Sequence, residues 1–216
     1  MKTYYADREK CYRCYRPKSS CMCQYFTQID TETKFVILMH PKEFKKVKNN
    51  TGHFTHQSLC NSELFIGIDF SNHKRICEII ENYESYILFP SENAINLSTT
   101  NPKSTKRALA IFVIDATWSC AKSIFYKSSN LQTLPHLSFT PSKKSLYAIK
   151  EQPDDAYLST IESTLVVLEL LNKHKIEKIS ESALEHFLEP FFKMIAYQQK
   201  IIANPKSNAV RFKKRG

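Results

Sequence analysis

The segment Ala108 to Ile114 (ALAIFVI) is apolar without interruption and stops at Asp115. A strand with one face in water alternates apolar and polar residues. A run with no polar position must be covered on both faces, as happens in a parallel sheet enclosed by helices. Phe35-Val36-Ile37-Leu38-Met39 repeats the pattern and ends at His40-Pro41, while Leu64 to Ile68 and Tyr86 to Phe89, the latter stopped by Pro90, are shorter versions. Helical patterns lie between these runs: a helix is predicted over 51–62, and Ile76, Ile79, Ile80 and Tyr83 recur at helical spacing. The alternation predicts an α/β domain with a mostly parallel sheet and helices on both faces. The last third is more helical. Ile161, Leu165, Leu168 and Leu171 form one stripe, and Pro190 either kinks a second stretch over 182–202 or starts a new helix there.

Composition removes several classes. The three glycines, Gly52, Gly67 and Gly216, are scattered. A phosphate-cradling loop needs clustered glycines for close backbone approach, so P-loop NTPases and glycine-rich dinucleotide folds are excluded. Lys and Arg number 31 against 21 Asp and Glu, a net charge of +10. That excess is the footprint of a nucleic-acid or anionic-membrane partner, although a solvated basic surface is the plain alternative. No apolar run reaches the ~18 residues of a membrane span, and MKTYYADREKC lacks the apolar core of a signal peptide. Seven cysteines, an odd number without an export signal, argue against a disulfide framework. The chain is expected to be a cytoplasmic monomer with no membrane partner.

Four of the cysteines are concentrated as Cys11-Tyr-Arg-Cys14 and Cys21-Met-Cys23. The segment 15–20 has the turn chemistry to fold the second pair onto the first, and two thiolate pairs can occupy the corners of a tetrahedral zinc site. Such a Zn2+ ion has a full coordination sphere and serves folding rather than water activation. Reduced thiols in a loose arm and a redox pair are the alternatives. The expected organisation is a zinc knuckle over 1–28, an α/β catalytic domain over 29–205 and a basic tail over 206–216.

In open α/β sheets ligands bind beyond the carboxyl ends of the strands. His40 follows the first apolar run, and Asp115, Thr117 and Trp118 follow the longest. Each has an ordinary reading. Asp115 or Thr117 can cap a helix, Trp118 can be a core aromatic, and a strand-end histidine before proline is commonly structural. Ser159-Thr160-Ile161-Glu162 reads as a capping box, which needs no function, yet a helix N-terminus with free amides and hydroxyls also suits a carboxylate. Asn50-Thr51-Gly52 is a third such corner.

Taken in order, these pieces resemble one family. The Cys11/Cys14/Arg16-Pro17/Cys21/Cys23 knuckle is similar to the N-terminal signature of DTW-domain proteins. So are His40-Pro41-Lys42-Glu43, Asn50-Thr51-Gly52, Leu88-Phe89-Pro90, Asp115-Ala116-Thr117-Trp118, Tyr147-Ala148-Ile149-Lys150 and Ser159-Thr160-Ile161-Glu162. The resemblance covers about 11–200. Lys150 departs from it, because arginine is expected there, and lysine keeps the charge without the bidentate fork.

The resemblance implies a tRNA-uridine aminocarboxypropyltransferase that moves the 3-amino-3-carboxypropyl group of S-adenosylmethionine to N3 of a tRNA uridine, leaving methylthioadenosine. It implies a SPOUT-like sheet, with the option of a trefoil knot. It places catalysis at Asp115, Thr117 and Trp118, and the co-substrate at Thr51, Gly52, Leu88, Phe89, Pro90, Asp115, Ser159, Thr160 and Glu162. Asp115 is expected either to take the uridine proton or to bind the amino group of the transferred chain. Arg16, Lys45, Lys46, Lys150, Arg211 and Lys213 are the RNA candidates, within lysine-rich segments that also include Lys42, Lys48, Lys103, Lys106, Arg107, Lys143 and Lys144. Tyr12, Arg13 and Tyr15 on the knuckle loop offer surfaces for unpaired bases. An RNA methyltransferase and a non-catalytic zinc-containing RNA-binding module are the rival readings.

Overall fold

The computed structural model describes residues 9–45, 51–102, 105, 107–140 and 158–203. These contain β1 (Lys34–Met39), β2 (Ser62–Ile66), β3 (Glu84–Leu88), β4 (Ile95–Asn96), β5 (Leu109–Asp115) and β6 (His136–Ser138). All pairings are parallel, in the order β2-β1-β5-β3-β6-β4. The two longest apolar runs took the centre: β1 lies between β2 and β5, and β5 between β1 and β3. Every residue of β1 is buried, whereas those of edge strand β2 are half-buried or, at Ile66, exposed.

The helices are α1 (Pro41–Lys45), α2 (Thr51–Ser58), α3 (Lys74–Asn82), α4 (Trp118–Lys127), α5 (Ser129–Gln132), α6 (Thr160–Lys173), α7 (Glu181–His186) and α8 (Glu189–Ile202). Strand parity sorts the core into two layers. Phe35, Ile37, Tyr86, Ile111 and Val113 face Phe54 of α2, Ile161, Leu168 and Leu171 of α6, and Phe191 and Met194 of α8. Val36, Leu38, Ile87, Ala110 and Phe112 face Ile76 and Ile79 of α3, Ile124 and Phe125 of α4, and Leu131 of α5. A fully buried Ile or Phe contributes roughly 2 kcal/mol, so the central strands are fixed from both sides.

Several boundaries differ from the sequence reading. The predicted strand at 64–68 is β2 at 62–66, and the helix predicted over 51–62 ends at Ser58, where the chain turns to bridge Leu59 with Ile29. Strands β4 and β6 are two and three residues long, too short to show a period. Pro190 lies in the first turn of α8, where its missing N–H is no loss, so it starts a helix rather than kinking one. The option of a trefoil knot involves the path through residues 141–157, between β6 and α6, which lie outside the described residues. Among the described residues no helix is long and apolar enough to cross a membrane.

The cysteine knuckle docks onto the α2 and α8 side of the domain. Met22 is buried in that core layer, with Tyr25 and Phe26 packed against it. Phe26 meets Phe54 edge-on at 5.5 Å, and Lys193 Nζ of α8 lies 5.2 Å from the Tyr25 ring. These contacts cross the expected boundary at 28/29.

Candidate active site at the strand ends

Because all six strands are parallel, their carboxyl ends share one edge. Asp115 ends β5 there, opposite Met39, and its carbonyl accepts the His40 N–H at 3.0 Å. It has the parity of Ile111 and Val113, which sends its carboxylate toward the α2 and α6 layer. There Thr160 Oγ1, at the start of α6, donates to Asp115 Oδ1 at 2.6 Å. From the other side comes α2. A methyl group built on Gly52 would lie 2.5 Å from Asp115 Cγ and 2.6 Å from Oδ2, so only glycine lets the helix come this close. Two helix N-terminal turns therefore converge on one buried carboxylate, a placement that suits negative charge.

Ser159 and Glu162 do form the capping box: Glu162 Oε2 accepts the Ser159 N–H at 2.8 Å and the Ser159 hydroxyl at 2.6 Å. The capping interpretation does not hold for Asp115. The N-cap of α4 is Thr117, whose exposed side chain makes no capping bond, while Asp115 reaches a helix 45 residues further on. His40 is buried and its Nδ1 accepts the Lys42 N–H at 3.1 Å, which supports its structural role.

An aromatic stack lies on the α3–α5 side of the same edge. Phe89, just past β3, stacks on Trp118 at 5.5 Å and on Phe125 at 4.5 Å, with His136 edge-on to both Phe rings. Burial pushes the His136 imidazole below the usual histidine range. Trp118 is no core aromatic: it is the outer plate, 39% exposed, with Lys122 Nζ 5.7 Å from its ring. Leu88 is half-buried and Pro90 exposed. Asp115 and Trp118, grouped by sequence proximity, thus stand on opposite faces of the strand-end edge. Phe125 and His136 were not anticipated. The seven-residue spacing of Trp118 and Phe125, two helical turns on one face, was a usable signal for the former.

The Sγ atoms of Cys11, Cys14, Cys21 and Cys23 all lie within 4.8 Å of one another, with 3.5 Å between Cys11 and Cys23 and 3.7 Å between Cys14 and Cys21. Tetrahedral thiolates at ~2.3 Å from a metal stand ~3.8 Å apart, so the cluster can hold a metal ion with little adjustment. Cys11 is drawn down to about 6, chiefly by the Cys14 backbone N–H, whereas burial pushes the Cys21 and Cys23 thiols up. Arg16 departs from its expected RNA-facing role. It is buried within the knuckle, and its Nε donates to the Ser20 carbonyl at 2.8 Å.

Of the other cationic candidates, Lys42 and Lys45 are exposed on α1, which leaves the sheet at the same edge as Asp115. Arg107 precedes β5 and is therefore at the opposite edge, where its guanidinium donates to the Glu81 carbonyl at 2.9 Å. Lys46, Lys48, Asn50, Lys103, Lys106, Lys143, Lys144, residues 147–150, Arg211 and Lys213 lie outside the described residues.

The chain is similar over most of its length to several curated proteins. It is 32% identical over 174 residues to "tRNA-uridine aminocarboxypropyltransferase 2" of Macaca fascicularis, which takes in 77% of this chain. It is 31% identical over 175 residues to the Mus musculus protein of that name, again over 77% of this chain. The corresponding Drosophila melanogaster protein is 28% identical over 76% of this chain and 67% of its own length. The chain spans 58% of the length of the macaque and mouse relatives. No solved structure matches it. A DTW domain match extends over residues 8–199, from the cysteine knuckle through the Asp115 edge and into α8, and the chain belongs to the DTW-domain family.

Proposed function

We propose that this chain transfers the 3-amino-3-carboxypropyl group of S-adenosylmethionine to N3 of a uridine in tRNA. The observation that carries this reading is the Asp115 carboxylate, buried at the strand ends between Gly52 of α2 and Thr160 of α6. The names of the family relatives support it. In the balanced reaction uridine N3 loses its proton and attacks Cγ of the methionine chain. The Cγ–S bond breaks, and its electron pair leaves with sulfur as neutral methylthioadenosine. S-adenosylmethionine supplies a sulfonium with three electrophilic carbons, so the protein's task is positioning.

The residues of the edge suit that task. The amino-acid end of the donor carries an ammonium and a carboxylate. Asp115 offers a carboxylate for the ammonium, and the N-terminal turn of α6 at Ser159 and Thr160 suits the donor's own carboxylate. The exposed Trp118 face, backed by Phe89 and Phe125, offers a flat apolar plate for a purine or pyrimidine ring. Asp115 Oδ1 already accepts the Thr160 hydroxyl. That engagement favours its role as ligand over its role as base, with solvent taking the N3 proton. The four cysteines fit Zn2+, which would fold the knuckle and leave no open position for catalysis. The net charge of +10 and the lysines on α1 suit a polyanion such as tRNA.

Nucleoside mass spectrometry of tRNA treated with the protein and S-adenosylmethionine tests the reading. Aminocarboxypropyluridine with methylthioadenosine is the expected pair of products. Methyluridine with S-adenosylhomocysteine would make it a methyltransferase, and no product with no donor binding would leave a binding module. Asp115→Asn should weaken donor binding at least tenfold. A variant that kept affinity and lost only turnover would make Asp115 the base.

A further inference from the structure

The cysteine knuckle and the strand-end carboxylate are joined by a short chain of contacts. Tyr15 follows Cys14 and adopts a left-handed conformation, φ 57°, within a turn closed by Tyr15 N–H to Cys11 O and Cys11 N–H to Arg16 O, both 2.8 Å. That conformation is uncommon for a residue with a bulky side chain. The Tyr15 ring packs onto the two helices beside the active edge, with its centroid 4.9 Å from His53 of α2 and 6.1 Å from Phe44 of α1. His53 and Phe44 themselves meet at 5.9 Å. Both of these partners lead to Asp115. His53 is buried and immediately follows Gly52, the residue pressed against the carboxylate. Phe44 N–H donates to the His40 carbonyl at 3.2 Å, and His40 N–H donates to the Asp115 carbonyl at 3.0 Å.

A second grip runs alongside. Arg13 Nε donates to Gln57 Oε1 of α2 at 2.9 Å, and the guanidinium lies 6.0 Å from the Phe26 ring, which meets Phe54 of α2. Helix α2 has eight residues. A helix this short has little stability of its own, so its position is set by what packs on it. Part of that packing comes from the knuckle, through Tyr15, Arg13 and Phe26, and the rest from α6, α8 and the sheet.

We infer that Tyr15 is a positioning residue: the folded cysteine turn aims its ring at α2 and so keeps Gly52 seated against Asp115, making donor binding at the strand ends depend on an assembled knuckle. The inference rests on the reading of that edge as the S-adenosylmethionine site. It assigns the knuckle a task beyond closing one end of the domain. It also accounts for a bulky aromatic in a backbone conformation that glycine would adopt more easily.

The test uses the full chain loaded with zinc, as wild type, Tyr15→Gly, Tyr15→Phe and Tyr12→Ala. Glycine takes φ 57° at no steric cost, so the turn is kept while the ring is lost. Phenylalanine keeps the ring, and Tyr12, 93% exposed on the same loop, is the control. Three quantities are read: zinc per chain by native mass spectrometry, backbone hydrogen exchange over 51–58, and the dissociation constant of S-adenosylmethionine by calorimetry. Tyr15→Gly should retain one zinc, exchange at least tenfold faster over 51–58 and bind the donor at least tenfold more weakly. Tyr15→Phe and Tyr12→Ala should stay within twofold of wild type. Wild-type exchange or wild-type affinity in Tyr15→Gly overturns the inference. So does loss of zinc from that variant, which would make the ring part of the knuckle's own folding. If the wild-type chain itself fails to bind S-adenosylmethionine, the donor reading falls, and the exchange arm alone decides whether Tyr15 positions α2.

Discussion

Gly52→Ala is the sharpest perturbation of the strand-end edge, because one methyl group enters a space already filled. The added carbon would lie 2.5 Å from Asp115 Cγ, 2.6 Å from Oδ2 and 2.9 Å from Cβ. Carbon atoms in contact settle ~3.5 Å or more apart, so about 1 Å must be found. The Asp115 side chain cannot supply it without giving up the 2.6 Å bond from Thr160, and it is buried at 5% exposure with no solvent to turn into. Breaking a hydrogen bond to a charged group costs roughly 1.5–3 kcal/mol, and overpacking with a backbone shift costs roughly 1–3 kcal/mol. These are alternative routes to relief, so the smaller applies. Replacing glycine within a helix returns up to about 1 kcal/mol. With that gain subtracted in full, the net destabilisation is about 0–2 kcal/mol, which for a chain of this size lowers Tm by at most roughly 8 °C.

Function should suffer more than stability. A displacement near 1 Å at a positioning site can cost on the order of 100-fold in rate. Differential scanning fluorimetry and nucleoside mass spectrometry read the two effects separately. The double variant Gly52→Ala/Asp115→Ala isolates the contact, because with the carboxylate gone the added methyl has room and its Tm penalty should vanish. A Gly52→Ala protein as stable as wild type or more so, with undiminished aminocarboxypropyl transfer, would refute the close approach of α2 as a condition of function.

Two further perturbations probe the aromatic plate and the buried histidine. Trp118→Ala removes the partly exposed outer plate, so Tm should fall by no more than a few degrees while transfer drops at least tenfold; unchanged transfer by nucleoside analysis would remove Trp118 from the site. His53 is pulled down to about 4 by burial and then by the nearby His56. The unfolded chain therefore binds a proton between about pH 6.5 and 4 that the folded chain refuses, and stability falls as pH falls through that window, by at most about 1.4 kcal/mol per pH unit for this one proton. Urea midpoints across the window should show a shallower slope for His53→Phe, and an equal slope would assign the effect to other groups such as His56 and His136, which burial shifts in the same direction.

Legibility in the sequence follows the range of the interaction. The two central strands announced themselves because seven and five consecutive apolar residues have only one folded environment. Likewise the Ser159 to Glu162 box formed as written, since its bonds close within one helical turn. Arg16 is the opposite case. Charge suggests solvent, but a knuckle this small needs internal donors for its carbonyls, and Arg16 provides one to Ser20. For Trp118 the sequence leaves a core aromatic and a strand-end site residue both open, because apolar character does not reveal whether a helix N-terminal side chain finds room beneath its neighbours.

By itself, then, the order of residues determined a parallel sheet covered on both faces, a four-cysteine turn able to hold a metal, and a carboxylate at the end of the longest strand. It even determined the face that Asp115 shares with Ile111 and Val113, because side chains alternate along any strand. Only the tertiary structure decided what meets that carboxylate. Gly52, Asp115 and Thr160 are distant in sequence and carry no mutual periodicity. They converge because β5 inserts between β1 and β3, bringing the N-terminal turns of α2 and α6 to one sheet edge. The same packing set Tyr15 over α2. Strand order is a long-range choice made by the summed burial of two core layers, and no local pattern of residues contains it.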